Sequence, residues 1–188
     1  MSVKDYETRL YVKDDLSIGK SLVLKNDQSH YIRSVLRLKE NSQIALFNGE
    51  EGEWLSTIKT IAKKFVELEV IEQIKLQDVI SDIWLVFAPI KRTRIDYLAQ
   101  KATELGAGAL WPIFTKYTSV SRVNAERLRS NSIEAAEQSG RLTVPKILDP
   151  IDFDTLIEKW PHDRDLFCLD ETGKGAPILD AFRSSHQR

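Results

Sequence analysis

In the run Phe65-Val66-Glu67-Leu68-Glu69-Val70, Val66, Leu68 and Val70 fall on one face and the two glutamates on the other, the period-two signature of a half-buried strand. Shorter runs of the same kind lie upstream, at Arg9-Leu10-Tyr11-Val12 and Ser21-Leu22-Val23-Leu24. Residues 43–47 and 53–58 flank Asn48-Gly49-Glu50-Glu51-Gly52, which predicts a hairpin with a five-residue, glycine-containing loop. One helix is expected in this region, over residues 30–38, with Ile32, Val35 and Leu36 facing inward. Several short strands separated by turn signals suggest a small β-barrel.

The pattern changes after Asp82. Ile83-Trp84-Leu85-Val86-Phe87 is an uninterrupted apolar run, the mark of a strand buried on both faces. It leads into residues 91–105, where Ile95, Leu98, Ala102 and Leu105 recur at helical spacing. Residues 109–114 predict a second strand, with Trp111-Pro112 marking its limit, and 166–169 a third. Between these, Asn124 is placed to cap a helix that runs to Ser139 and closes on Gly140. Strands alternating with helices indicate a parallel α/β layer. The expected architecture is therefore α+β in two domains, with a boundary near 75–82: a β-barrel over 1–76 and an α/β domain with a parallel sheet over 77–188.

Composition narrows the class of protein. The chain has 188 residues and a single cysteine, Cys168, so an intrachain disulfide is excluded and a reducing, cytoplasmic setting is expected. No apolar stretch reaches the roughly 18 residues that would span a bilayer, and the N-terminus lacks a signal-like apolar segment. The overall charge is −1, but it is unevenly spread. Residues 1–39 hold eight cations against five carboxylates, and residues 91–129 eight against three, with acidic stretches between and after. Two basic blocks can converge into one phosphate-binding face, or be ordinary solvated charge.

Candidate chemistry sits at the helix ends. Arg33 and Arg37 are one helical turn apart and suit backbone phosphate or simple solubility. Lys91-Arg92-Thr93-Arg94 stands where the apolar strand hands over to the helix, the usual place for ligands in open α/β sheets, although a hydrophilic loop reads the same way. On that helix Tyr97, Lys101 and Glu104 share a face with Gln100 beside them, a site or a solvated Lys101–Glu104 pair. On the next helix Glu134, Gln138 and Arg141 form a stripe, with Glu137 adjacent, and the stripe ends beside Gly140. Its small residues Ser132, Ala135, Ala136 and Ser139 read as a packing device. The segment 171–175 reads as a surface turn, and no Cys/His cluster, phosphate loop or Gly-x-Ser-x-Gly elbow is present. No metal site is expected and no catalytic residue stands out.

Two strings are specific enough to carry a resemblance: Gln100-Lys101-Ala102-Thr103-Glu104-Leu105-Gly106 and Glu134-Ala135-Ala136-Glu137-Gln138-Ser139-Gly140-Arg141. With Arg9-Leu10-Tyr11-Val12, residues 30–38, Phe47-Asn48-Gly49 and Val144-Pro145, taken in order, the chain resembles the RsmE-type RNA methyltransferases of the SPOUT class. The resemblance implies a PUA-like RNA-binding barrel followed by a SPOUT α/β domain, with S-adenosylmethionine as methyl donor. It also implies N3 of a uridine in small-subunit (16S) ribosomal RNA as target, and usually a homodimer. It places Arg33, Arg37, Lys91, Arg92, Arg94, Lys101 and Arg141 on RNA, and Gln100, Glu104, Glu134 and Gln138 near the active site. The family's Gly-Pro-Glu-Gly-Gly and Leu-Gly-x-x-Ile-Leu-Arg-x-Glu-Thr-Ala segments, which form the trefoil knot around the donor, do not occur in these 188 residues. The expectation is thus an incomplete SPOUT domain, without donor-binding residues of its own and inactive alone. The alternatives are a catalytically dead RNA-binding protein and a partner of an intact paralogue.

Overall fold

The computed structural model describes residues 6–79 and 81–185, and it divides into two compact units, 1–150 and 151–188. The first unit holds two sheets. Strands β1 (Arg9–Tyr11), β2 (Ser21–Lys25), β3 (Gln43–Phe47), β4 (Glu53–Ile61) and β5 (Phe65–Lys75) form one sheet in the order β1-β3-β4-β5-β2. The hairpin is β3–β4, antiparallel with Phe47 opposite Glu53, as the alternation and the glycine-containing loop predict. Three register shifts between β4 and β5 bend the sheet, since each bulge adds local twist. The result is a half-barrel with β1 and β2 at its two edges. Val66, Leu68 and Val70 are fully buried against Leu10, Leu22, Leu24, Ile44, Leu46 and Ile58.

The helix of this region departs from expectation. It begins earlier, as α1 (Asn26–His30), and widens into a π-helical turn over Tyr31–Val35, in which the Leu36 amide donates to the Tyr31 carbonyl at 2.9 Å. Five-residue spacing rotates the following side chains away from the face that a 3.6 period assigns them. Ile32 therefore stays buried while Val35 is 59% exposed, and Arg37 follows with φ of 55°.

The second sheet is built from β6 (Trp84–Phe87), β7 (Ala109–Phe114) and β8 (Lys146–Ile147), all parallel in the order β6-β7-β8. Two helices pack together against it, α2 (Arg92–Glu104) and α3 (Ala125–Ser139), burying Phe87, Ala99, Ala102, Leu110 and Leu128. Asn124 caps α3, its side chain accepting from the Arg127 amide at 2.9 Å, and Gly140 closes it in the left-handed conformation. Three expectations fail here. The 83–87 run is not buried on both faces: Ile83 is 68% exposed and only Phe87 is buried. Pro112 lies inside β7, opposite Phe87, rather than ending it. Leu105 is outside the core because α2 ends at Glu104, and Ala99 takes the inward place instead.

The second unit contains β9 (Ile151–Asp152), α4 (Phe153–Lys159) and α5 (Ile178–Ser185). Residues 166–169 are not a strand; they run irregularly with Leu169 exposed, and Cys168 is exposed as well. An apolar run of four residues has no means of its own to satisfy its backbone, and no partner strand is aligned with it among the described residues. Nearby, the rings of Phe167 and Phe182 meet at a tilt of 35° with centroids 6.0 Å apart.

Candidate functional site

Strands β6 and β7 run in the same direction, so their C-terminal ends deliver two segments to one side of the sheet: residues 88–91, leading into α2, and residues 115–124, leading into α3. Between them opens a cleft of about 1200 Å³, lined by Lys91, Arg94, Asp96, Arg122, Asn124 and Arg127 among others. Its floor is braced across the two helices. The Arg127 guanidinium donates two bonds to the Asp96 carboxylate, at 2.8 and 2.5 Å, and the Asn131 amide adds a third at 2.7 Å. Hydrogen bonding from Arg127 holds the Asp96 carboxyl below its ordinary range. Asp96 is engaged by Arg127 and Glu126 is a second carboxylate of the lining, so the exposed cations Lys91, Arg94 and Arg122 leave the cleft net positive. Lys91 and Arg94 also stand at the N-terminal end of α2, where cations oppose the helix dipole and an anion is favoured. A chain that places cations against that local rule gains if a phosphate occupies the cleft.

A second cluster ties this layer to the half-barrel. Arg9 of β1 is 6% exposed. It is ion-paired with Glu53, donates to the carbonyls of Ala136 (2.8 Å), Glu137 (3.0 Å) and Arg141 (3.1 Å), and lies over the Phe47 ring. The Glu137 carboxylate in turn accepts from the Tyr11 amide at 2.9 Å, and Arg129 donates to the Tyr11 hydroxyl at 3.2 Å. Phe47, Ala136 and Leu142, flanked by Tyr11 and Val144, form the apolar core of this contact. One step further on, Arg141 Nε donates to the Glu104 carbonyl at 3.0 Å, with its guanidinium seated on Gly106.

With this geometry in place, comparison with known proteins is decisive. The family profile described as an RNA methyltransferase domain matches residues 77–187, more than half of the chain, and one described as an RNA methyltransferase PUA domain matches residues 24–71. The chain belongs to this RNA methyltransferase family. Among its relatives is the ribosomal RNA small subunit methyltransferase E of Rickettsia conorii, 36% identical over 152 residues, covering 80% of this chain and 62% of that protein. The enzyme of the same name from a Synechocystis species is 29% identical over 93% of this chain and 58% of its own length. The chain thus spans about three fifths of the length of these relatives. A crystal structure of ribosomal RNA small subunit methyltransferase E from Neisseria gonorrhoeae, bound to S-adenosyl methionine, superposes with a TM-score of 0.75 at 28% identity, over 84% of this chain and 67% of that one. The fold is accordingly a PUA-like half-barrel followed by a SPOUT methyltransferase layer, and the family read from the two motifs is the family found.

Within this family member the sequence-predicted residues separate into groups. Lys91 and Arg94 line the cleft together; the Arg92 side chain lies outside the described residues. Lys101, Gln100 and Glu104 form one partly exposed cluster at the other end of α2, Lys101 Nζ to Glu104 at 2.6 Å and Gln100 Nε2 to Glu104 at 2.9 Å. That pair raises the Lys101 ammonium and lowers the Glu104 carboxyl, and being partly exposed it adds little stability. Arg141 joins the same end of α2 through the Glu104 carbonyl, about 12 Å along the helix from Asp96 at the cleft, at 1.5 Å per residue. Glu134 and Gln138 are exposed on α3. Arg33 reaches the carbonyls of Ala62 (3.4 Å) and Lys63 at the β4–β5 turn, while Arg37 is exposed. The structure therefore distributes these residues over several places, the cleft, the end of α2, the face of α3 and the half-barrel, rather than one.

The residues that sequence reasoning missed are Arg122, Asp96 and Arg127 at the cleft, with Asn131 bonded to Asp96, and Arg9 and Glu53 at the far end of α3. Only Arg9 carried a signal: a lone arginine in an apolar strand whose neighbour Leu10 is buried asks for a buried partner. Among the described residues no group of metal-ligating side chains is found, and no helix is long and apolar enough to cross a membrane.

Two predictions arise here. Gly106 and Gly140 both have positive φ, 87° and 80°. A Cβ on Gly140 meets nothing within 4 Å, whereas one on Gly106 falls 2.9 Å from the Arg141 guanidinium. Gly140→Ala is expected to cost about 1 kcal/mol, the left-handed backbone penalty, and Gly106→Ala distinctly more, measured by urea unfolding. Equal costs would show that the Arg141 seat moves freely. The second concerns Glu137, whose carboxyl burial pushes upward. A carboxyl raised on folding binds more protons in the native than in the unfolded state, so its contribution is most favourable below the unfolded value and is lost as pH rises through the window up to the native one. Glu137→Gln keeps an acceptor for Tyr11, and its stability relative to wild type is expected to improve from pH 4 to pH 7; a difference independent of pH would show that Glu137 is not perturbed.

Proposed function

We propose that this chain forms the RNA-engaging part of an S-adenosylmethionine-dependent methyltransferase that acts on N3 of a uridine in small-subunit (16S) ribosomal RNA. Residues 1–76 serve as the PUA-like RNA-binding module and 77–188 as the SPOUT portion, in a protein that works in the cytoplasm as a homodimer. The observation that carries this reading is the cleft beyond the C-terminal ends of β6 and β7, with Lys91, Arg94 and Arg122 on its rim.

The cleft does not fit the methyl donor, whose sulfonium centre is cationic and would face three cations there; its charge suits the phosphates of the substrate strand. What the chain's own groups supply is position. A uridine N3–H is weakly acidic and buried in base pairing or stacking, so the base must be unstacked and its flanking phosphates held before the nitrogen can react. Phosphate contacts fix register without reading sequence, which is the work that the rim cations are arranged to do.

Titration of the 188-residue polypeptide with single-stranded RNA tests the reading: saturable binding that weakens with salt is expected, and no binding at low salt would refute it. Calorimetric titration of the same polypeptide with S-adenosylmethionine is expected to show no saturable binding, because the family's two knot segments are not among its residues. Micromolar binding would place a donor site on residues already described.

A further inference from the structure

Arg9 is a buried charge that reaches across the half-barrel and the α/β layer, and its contacts have a direction. On the barrel side it holds Glu53 at the start of β4 and covers Phe47 of β3. On the other side its donors are taken by the carbonyls of Ala136 and Glu137, which the end of α3 leaves without helical partners, and by that of Arg141 just beyond the helix. Arg141, whose carbonyl it fixes, carries the restraint on to the Glu104 carbonyl at the end of α2. Glu53, Arg9, the end of α3, Arg141 and the end of α2 thus form one continuous chain of polar contacts, flanked by the Glu137–Tyr11 and Tyr11–Arg129 bonds. Five donors in a planar fork can serve several acceptors at fixed angles, which an ammonium cannot.

We propose that Arg9, with Glu137, is a positioning residue that couples the half-barrel rigidly to the ends of α2 and α3, so that one RNA strand meets both parts as a single preorganised surface. The inference rests on the RNA-binding reading above and names how that binding gains its strength. Two weak phosphate-binding areas held at a fixed separation act on one strand with a high effective concentration; allowed to wander, they bind as independent weak sites. Arg9 itself is too deeply enclosed to touch RNA.

The experiment uses the whole chain in a Cys168→Ser background and compares wild type with Arg9→Lys, which keeps the charge for Glu53 but not the fork. Glu137→Ala, which acts from the α3 side, serves as second variant should Arg9→Lys fail to fold. The first readout is affinity for an RNA strand of about 25 nucleotides, able to reach both parts, against a fragment of about six, which reaches one. The long strand is expected to bind about tenfold more weakly to either variant and the short fragment equally well. Equal weakening of both, or of neither, overturns the proposal, since general damage moves both and an uncoupled role moves none. The second readout is the distance distribution between spin labels on the exposed positions Val23→Cys and Ser130→Cys, expected to broaden in the variants. If wild type binds neither RNA, the RNA-binding reading fails and the coupling stands or falls on the spin labels alone; an unchanged distribution overturns it.

Discussion

Arg9→Met is expected to destabilise the protein by about 3–5 kcal/mol, the range for breaking a buried ion pair from one side. The size follows from what is left behind. Glu53 keeps a charge at 7% exposure without a counter-ion, and three carbonyls at and just beyond the end of α3 lose their donor. Adding Glu53→Met in the same chain removes the uncompensated carboxylate and is expected to recover part of the loss, but not the part owed to the carbonyls. Guanidinium chloride unfolding of the single and double variants measures both. A cost below about 1 kcal/mol for Arg9→Met would mean that water replaces the guanidinium and that the cluster is open to solvent.

Replacing Lys91, Arg94 and Arg122 together by alanine is expected to produce the largest loss of RNA binding. Each cation that neutralises a phosphate of a single strand adds about 0.7 to the slope of log affinity against log salt. Three such contacts give a slope difference of about two, so the variant and the wild type are expected to diverge most at low salt and converge at high salt. Arg94 comes from the first turn of α2 and Arg122 from the segment before α3, and both line the cleft, so a loss confined to one of them would refute a shared phosphate site. The fold is expected to be unaffected, because all three side chains are exposed. Removing Lys91 and Arg94 from the start of α2 relieves a dipole conflict and is expected to leave thermal stability equal or slightly raised.

Much of the architecture was legible because it rests on local rules. Alternation at 65–70, the glycine loop at 48–52, the Asn124 cap and the Gly140 stop are each decided within a few residues, and each lies where the pattern puts it. The errors share a different cause. Val35 is exposed because a π-helical turn shifts phase, Leu105 because the helix ends one residue before it, and 166–169 is irregular because apolarity alone does not supply a partner strand. The site divided in the same way. Lys91 and Arg94 were found from their place after a strand, a local signal. Arg122 was not, since what brings it to them is the parallel register of β6 and β7, which no window of sequence contains. The Asp96–Arg127 brace and the Arg9 cluster span 31 and up to 132 positions, so their members carry no mark of one another.

That long span has a consequence for the order in which the molecule is made. The half-barrel's strands are complete once Lys75 has been synthesised, but the carbonyls that receive Arg9 arrive only with Ala136, Glu137 and Arg141. At about 5–20 residues per second a nascent chain carries its N-terminal strand for roughly ten seconds before those partners exist. During that interval β1 has its parallel pairing with β3 and the Glu53 carboxylate, but nothing from α3 to shield the guanidinium from water. The barrel's first strand is thus also the last to be locked, and the closing of the N-terminal module is timed by the emergence of a helix more than a hundred residues downstream.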